Sequence, residues 1–261
     1  LTYSKFKSLK KYCEKKNILF MSTPKNIESA KFLNKIKMKI FKIGSGEAIN
    51  YPLIKKINSF KKKTIISTGM CTLNEVEKIV KIFKKNLKNL SLLHCTSLYP
   101  CPDNECNLLS IVKLQKRFKN LEIGFSDHTI GVDTAPAAVA MGARIIEKHL
   151  TLSNSMEGPD HKASLNFENF LKMVKNIRKI ETLLGSEIKK PSKNEKKHIK
   201  SIRRGLVYKK SLSQNYLIKK RDLSVKRPLL GLEPSFEKIV IGRKLKKNVV
   251  EDQPVKIKDF F

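Results

Sequence analysis

Two histidines, His128 in FSDHT and His149 in EKHLT, each close a short apolar run. A pair of imidazoles so placed is a site for a divalent cation of the Mn, Fe, Co or Zn kind, or else a pair of hydrogen-bonded structural histidines. Water or substrate oxygens must complete so small a cage. Asp127 and Glu147, one and two positions before the histidines, can assist as ligands or from behind them. A second cluster is KIGSGE, Lys42 to Glu47, with an ammonium, a hydroxyl, a carboxylate and two glycines. Glycines let backbone N–H groups approach an anion closely, and Lys42 supplies charge. With Ser67, Thr68 and Gly69 in STGM, the cluster reads as a cradle for phosphate or carboxylate, or as an ordinary loop after a strand. No dinucleotide-binding fingerprint is present. HCTSLYPCP adds His94, Thr96, Ser97 and Tyr99, and its prolines stiffen the loop. GPDHKAS adds Asp160 and His161, as contacts for substrate hydroxyls or as plain loop residues.

Elements with one repeating pattern must position these groups. Apolar, β-branched runs begin at Ile18, Ile40, Thr64, Leu90, Glu122 and Ile145, each followed by a turn and a segment of helical periodicity. Thr72 and Glu75 form a capping box at one helix start. Continuous apolar runs of this kind predict buried parallel strands. Every run ends in groups with chemistry: Ser22 and Thr23; Lys42, Ser45 and Glu47; Ser67 and Thr68; His94 and Thr96; Ser126, Asp127 and His128; Glu147 and His149. In a (β/α)₈ barrel all strand ends converge on one mouth, whereas an open sheet needs only two or three at a ligand. The expected fold is therefore α/β, a TIM barrel lacking roughly its first two strands. Six strands are predicted, and two more are expected before Leu1, which is not an initiator Met. The helix SKFKSLKKYCEKK precedes the first predicted strand.

The net charge of +32 invites a nucleic-acid reading, but only eight of the 55 basic residues are Arg and the lysines are spread over helix faces. A solvated basic surface accounts for that pattern better, since Arg is the usual bidentate reader of phosphate. No apolar run is long enough for a membrane span. The five cysteines are odd in number and lack paired CxxC spacing, so neither a disulfide framework nor a zinc site is expected, and a reducing cytoplasm is. Cys95 reads as a buried small hydrophobe.

Taken in order, STP, KIGSGE, STGM, HCTSLYP, SDHT, EKH and GPDHKAS closely resemble the sialic acid synthase family, which includes N-acetylneuraminate synthase and its legionaminic and pseudaminic relatives. The resemblance spans essentially the whole chain. SIRRGLVYKK and VKRP resemble that family's C-terminal antifreeze-like SAF domain, a small β-clip, and IKKPSKNEKKHIK has a linker's composition. This divides the chain into a barrel over 1–186, a linker over 187–200 and a SAF domain over 201–261.

The resemblance implies a transferase condensing phosphoenolpyruvate with an N-acetylated hexosamine, to give a nine-carbon 2-keto acid and phosphate by C–O cleavage. It implies a divalent cation, Mn²⁺ first with Mg²⁺ or Co²⁺ as alternatives, on His128 and His149. Phosphoenolpyruvate contacts carry over to Thr23, Lys42, Ser45, Ser67, Ser97 and Ser126, and sugar contacts to Glu47, Tyr99 and Asp160. The candidate catalytic residues are Glu47, Glu147, Tyr99 and Arg227. Arg227 matches an arginine that reaches from one subunit's SAF domain into its partner's site, which implies a swapped homodimer. The chain departs from the family in lacking the first strands, with their catalytic carboxylate and further lysine. It also reads VKRPLLGLEP where many relatives have Gly after VKRP, leaving Gly231 to restore the turn. The rival readings are a keto-acid aldolase using Lys42 as a Schiff base and a non-catalytic basic module for nucleic acid or polysaccharide. His94 before CTS is closer to the neuraminate and legionaminate branches than to the pseudaminate branch.

Overall fold

Apolar runs that can be buried on both faces form parallel strands. In the computed structural model, which describes residues 1–261, five of them do so. β1 (Ile40–Ile43), β2 (Lys63–Ser67), β3 (Leu90–Cys95), β4 (Glu122–Asp127) and β5 (Ile146–Lys148) pair in chain order, all parallel. Helices α1 (Tyr3–Lys15) and α2 (Ile27–Lys35) precede the sheet. The crossovers carry α3 (Tyr51–Ser59), α4 (Leu73–Ile82), α5 (Leu109–Arg117) and α6 (Thr134–Ala140), and α7 (Phe167–Leu184) follows β5. The Thr72–Glu75 capping box opens α4 as predicted.

Side chains alternate across a strand, so each run serves two environments. Phe41, Ile43, Ile66, Leu92, Ile123 and Phe125 enter a core shared with α3, α4 and α5, including Ile54, Ile57, Ile79 and Ile111. The opposite face carries Lys42, Ser67, Cys95, Ser126 and Glu147. Four gaps of strand spacing would set β1 and β5 roughly 19 Å apart in a flat sheet. Yet Lys42 on β1 reaches Glu147 on β5 at 3.3 Å, so the sheet is curled into a half-barrel with this polar face inside. Gly124 permits the curl, because a Cβ there would stand 2.4 Å from the Ile145 carbonyl oxygen and 2.6 Å from Leu93.

One expectation is corrected. The run from Ile18 forms no strand and pairs with none, so the sheet has five strands and not six. Its Ile18 N–H closes α1 by donating to the Cys13 carbonyl, and Ile18 and Leu19 stay exposed. Apolar, β-branched composition supplies strand propensity, but pairing and burial decide whether a strand forms. The stretch with a linker's composition contains α8 (Lys193–Ile202), begun by a reciprocal capping box between Ser192 and Glu195. That box is the same S-x-x-E pattern that marks helix starts elsewhere, here hidden among lysines.

The chain divides into two units, Leu1–Gly185 and Ser186–Phe261. In the second, β6 (Gly205–Tyr208) and β7 (Leu223–Lys226) form an antiparallel pair, and a short α9 (Glu237–Val240) follows. This unit is built twice. Leu212 and Val249 exchange both backbone hydrogen bonds, and the offset between them relates the remaining contacts. Lys209 N donates to Asp222 O as Lys246 N does to Asp259 O, and Asn215 N donates to Leu245 O as Asp252 N does to Tyr208 O. Asn215 and Asp252 both turn in the left-handed region, at φ 68° and 64°. Buried Asp222 and Asp259 accept from the N–H groups of Lys219 and Lys256. Gly231 answers to close packing and not to a turn, since a Cβ there would lie 2.3 Å from the Val255 carbonyl oxygen. No helix in the chain is long and apolar enough to cross a membrane.

Candidate active site

The inward face of the half-barrel ends in one connected polar cluster. Lys42 is buried, and its ammonium donates to Ser67 Oγ at 2.8 Å and to the Ile43 carbonyl at 3.2 Å, beside the Glu147 carboxylate. Ser126 Oγ in turn donates to Glu147 Oε1 at 2.8 Å. Four of the predicted residues, from strands β1, β2, β4 and β5, therefore form one chain of contacts. A buried cation flanked by hydroxyls on the inward face of the half-barrel suits an anionic substrate.

Next to this chain stands a tight group around Gly69. Ser45 Oγ accepts from Gly69 N–H at 3.0 Å and lies 3.0 Å from Cys95 Sγ. A Cβ on residue 69 would meet Ser97 Oγ at 2.3 Å, Cys95 Sγ at 2.7 Å and Ser45 Oγ at 2.8 Å. Only glycine lets β2's end approach these groups. Ser97 Oγ is buried without a hydrogen-bond partner, a donor left available to a bound acceptor. Cys95, read from the sequence as a small apolar filler, faces the cleft. The strand alternation Ser91, Leu93, Cys95 signals this once Ser67 and Ser126 are known to point inward.

The two histidines project from the ends of β4 and β5, with ring centroids 5.4 Å apart. His128 Nδ1–H donates to the Thr96 carbonyl at 2.8 Å; a carbonyl only accepts, so the proton sits on Nδ1 and Nε2 keeps its lone pair. Burial lowers the His128 pKa, and the neighbouring His149 adds to this against the opposing pull of the Thr96 bond and the nearby carboxylates. His149 Nδ1 lies 3.7 Å from Asp160 Oδ2. His128 thus has an oxygen acceptor at Nδ1, the arrangement that orients an imidazole whose other nitrogen binds a metal, while the Asp160 carboxylate stands near His149 beyond hydrogen-bond distance. The two histidines are not joined by enough acidic or thiol groups to make a cage of three protein ligands. Tyr99 covers the pair: its ring centroid is 4.1 Å from that of His128 and 5.6 Å from that of His149. Burial raises the Tyr99 pKa, so its hydroxyl keeps its proton.

Other predicted residues stand apart. Thr23 ends the unpaired run outside the sheet and makes no hydrogen bond to the cluster. Glu47 lies in a 3₁₀ turn after β1, where its carboxylate accepts from Asn50 at 2.8 Å. His161 anchors its own loop through Thr151 Oγ1 at 2.7 Å. Asp127 points away from the cluster. Arg227 is exposed in the second unit, directly after β7.

Comparison with known proteins places the chain in a family. The model of the NeuB family matches residues 1–189 and that of the SAF domain residues 203–260. The N,N'-diacetyllegionaminic acid synthase of Campylobacter jejuni is 43% identical over 253 residues, covering 96% of this chain and 75% of that protein. A pseudaminic acid synthase of the same species is 36% identical, covering 95% and 72%. The crystal structure of an N-acetylneuraminic acid synthetase from Leptospira borgpetersenii, solved with citrate, superposes with a TM-score of 0.73 at 34% identity, covering 76% and 70%.

Proposed function

Since the chain belongs to the NeuB family and carries a SAF domain, we infer that it is an enzyme condensing phosphoenolpyruvate with an amino sugar to give a nonulosonic acid. The observation that carries this reading is the Ser67–Lys42–Glu147–Ser126 chain of contacts, whose Ser126 Oγ also lies 3.5 Å from His128 Nε2, beside the second imidazole of His149.

In the finer reading the acceptor is an open-chain N-acetylated hexosamine. A C–C bond forms between C3 of phosphoenolpyruvate and the aldehyde carbon, positive charge develops at C2, water adds there, and phosphate leaves by C–O cleavage. Lys42, Ser67, Ser126 and the unpartnered Ser97 hydroxyl hold the anionic oxygens of phosphoenolpyruvate, with Ser45 fixing the Gly69 backbone beside them. Thr23 joins this set from outside the sheet. Glu147 is the negative group closest to Lys42 and is assigned to stabilise the charge at C2 and to take the proton of the added water. Tyr99, Asp160 and Glu47 are assigned to contact the sugar.

His128 and His149 fit a divalent cation, Mn²⁺ in this reading with Mg²⁺ or Co²⁺ as substitutes, and substrate or water oxygens fill its remaining positions. When bound, the cation supplies Lewis acidity that polarises the aldehyde. The functional assembly is a swapped homodimer in which Arg227 serves the site of a second copy, and the five free thiols accord with a reducing cytoplasm. The test is phosphate release on incubation with phosphoenolpyruvate, Mn²⁺ and a panel of N-acetylated hexosamines; no release with any of them overturns the assignment.

A further inference from the structure

The alternation that sends Ser126, His128, Glu147 and His149 into the cleft sends Asp127 and Lys148 to the other side of the same strands. Asp127 and Lys148 are register partners on β4 and β5. Their side chains meet at 3.0 Å and are 0% and 1% exposed. Asp127 Oδ1 also accepts from Thr129 N–H at 2.8 Å and from Thr129 Oγ1 at 2.7 Å. The Lys148 ammonium donates to the Thr129 carbonyl, and Thr129 Oγ1 is bonded to Thr134 at the start of α6. Both neighbours of His128 in the chain, Asp127 and Thr129, are therefore tied to the one residue that separates Glu147 from His149.

A buried ion pair rarely adds net stability over an apolar pair of the same size, because desolvating both charges offsets their attraction. What such a pair can supply is a fixed geometry. We propose that the buried Asp127–Lys148 pair is the positioning device of the active site, setting the spacing of the His128 and His149 imidazoles and thereby the affinity for the divalent cation. The inference rests on the two-histidine reading above. It assigns no contact with substrate to either residue; both act through the histidines beside them.

The experiment is a Mn²⁺ titration of the whole chain, followed by electron paramagnetic resonance of free and bound ion. It compares the parent, His128→Ala, the apolar double variant Asp127→Leu/Lys148→Met and the conservative Lys148→Arg. The parent is expected to bind the ion and His128→Ala to lose it. The double variant is expected to unfold cooperatively near the parent's midpoint yet to bind Mn²⁺ about tenfold or more weakly, the range seen when groups behind metal ligands are removed. A folded double variant that binds Mn²⁺ as tightly as the parent overturns the proposal while leaving the two-histidine reading intact. A parent that does not bind Mn²⁺, or a His128→Ala variant that binds it normally, overturns that reading and this proposal with it. Should the double variant not fold, Lys148→Arg decides, since it keeps the charge but replaces the compact ammonium with a planar fork. It is expected to shift the dissociation constant roughly threefold or more with a changed bound-ion spectrum, and an unchanged constant and spectrum overturn the proposal.

Discussion

Lys42 and Glu147 stand on the two edge strands of a five-stranded sheet, and their charged atoms are 3.3 Å apart. An incoming phosphate or carboxylate must share Lys42 with Glu147 or take it over. The two substitutions should therefore separate. Lys42→Met is expected to lower kcat/KM for phosphoenolpyruvate by about 100-fold or more, mostly through KM, as a charge-assisted contact is lost. Glu147→Gln is expected to lower kcat while KM stays level or falls, because the competitor for Lys42 is gone. Steady-state kinetics with varied phosphoenolpyruvate checks this, and a matching rise in KM for both variants contradicts it.

The imidazole pair gives a second expectation. His149→Ala should reduce metal retained after desalting to background, as measured by elemental analysis, and Asp160→Asn should reduce it less. Asp160 lies 3.7 Å from His149, so under the two-histidine reading its effect on the metal is expected to be indirect. Equal metal content in His149→Ala and the parent would refute the assignment.

Gly69→Ala probes the crowding at the end of β2. A methyl group there meets the Ser97, Cys95 and Ser45 heteroatoms at 2.3–2.8 Å. Forced shifts in a packed region cost about 1–3 kcal/mol, so a lower melting temperature and a raised KM for phosphoenolpyruvate are expected together. A variant with unchanged KM would show that these groups do not face the substrate.

The repeat in the second unit predicts an acid-sensitive element. Burial of Asp222 opposes ionisation, but the Lys219 N–H and the Lys210 ammonium outweigh it and hold the carboxyl below its ordinary value of 3.8. The folded state thus binds this proton more weakly than the unfolded one. The stabilisation is complete above pH 3.8 and is lost as pH falls through the folded value. Asp222→Asn should cost about 2 kcal/mol near neutral pH, the scale of a hydrogen bond to a buried charge, with a smaller difference from the parent in acid. Chemical denaturation at pH 7 and pH 3 measures both; an equal difference at the two pH values would contradict the prediction.

Much of the site was legible because parallel strands announce themselves as apolar runs and barrels gather their strand ends. His128, His149, Lys42, Ser67, Ser126 and Glu147 follow from that rule alone. The Ile18 run shows where the rule stops. Its composition is that of a strand, but without a paired neighbour it forms none and stays partly in solvent. The helix in the lysine-rich stretch at the start of the second unit was equally visible as Ser192 and Glu195, and composition hid it. The duplication inside the second unit left little trace in its residues, because it is carried by backbone hydrogen bonds that side chains of many kinds permit.

The sequence by itself determined which residues carry charge, hydroxyl and imidazole, and that they close successive strands. The tertiary structure decided their partners. Only the curl of the sheet joins Lys42 to Glu147, and only strand register sets Asp127 against Lys148 behind the histidines. The physical reason is that period-two alternation is local and readable, whereas curvature and register are set by packing among segments far apart in the chain.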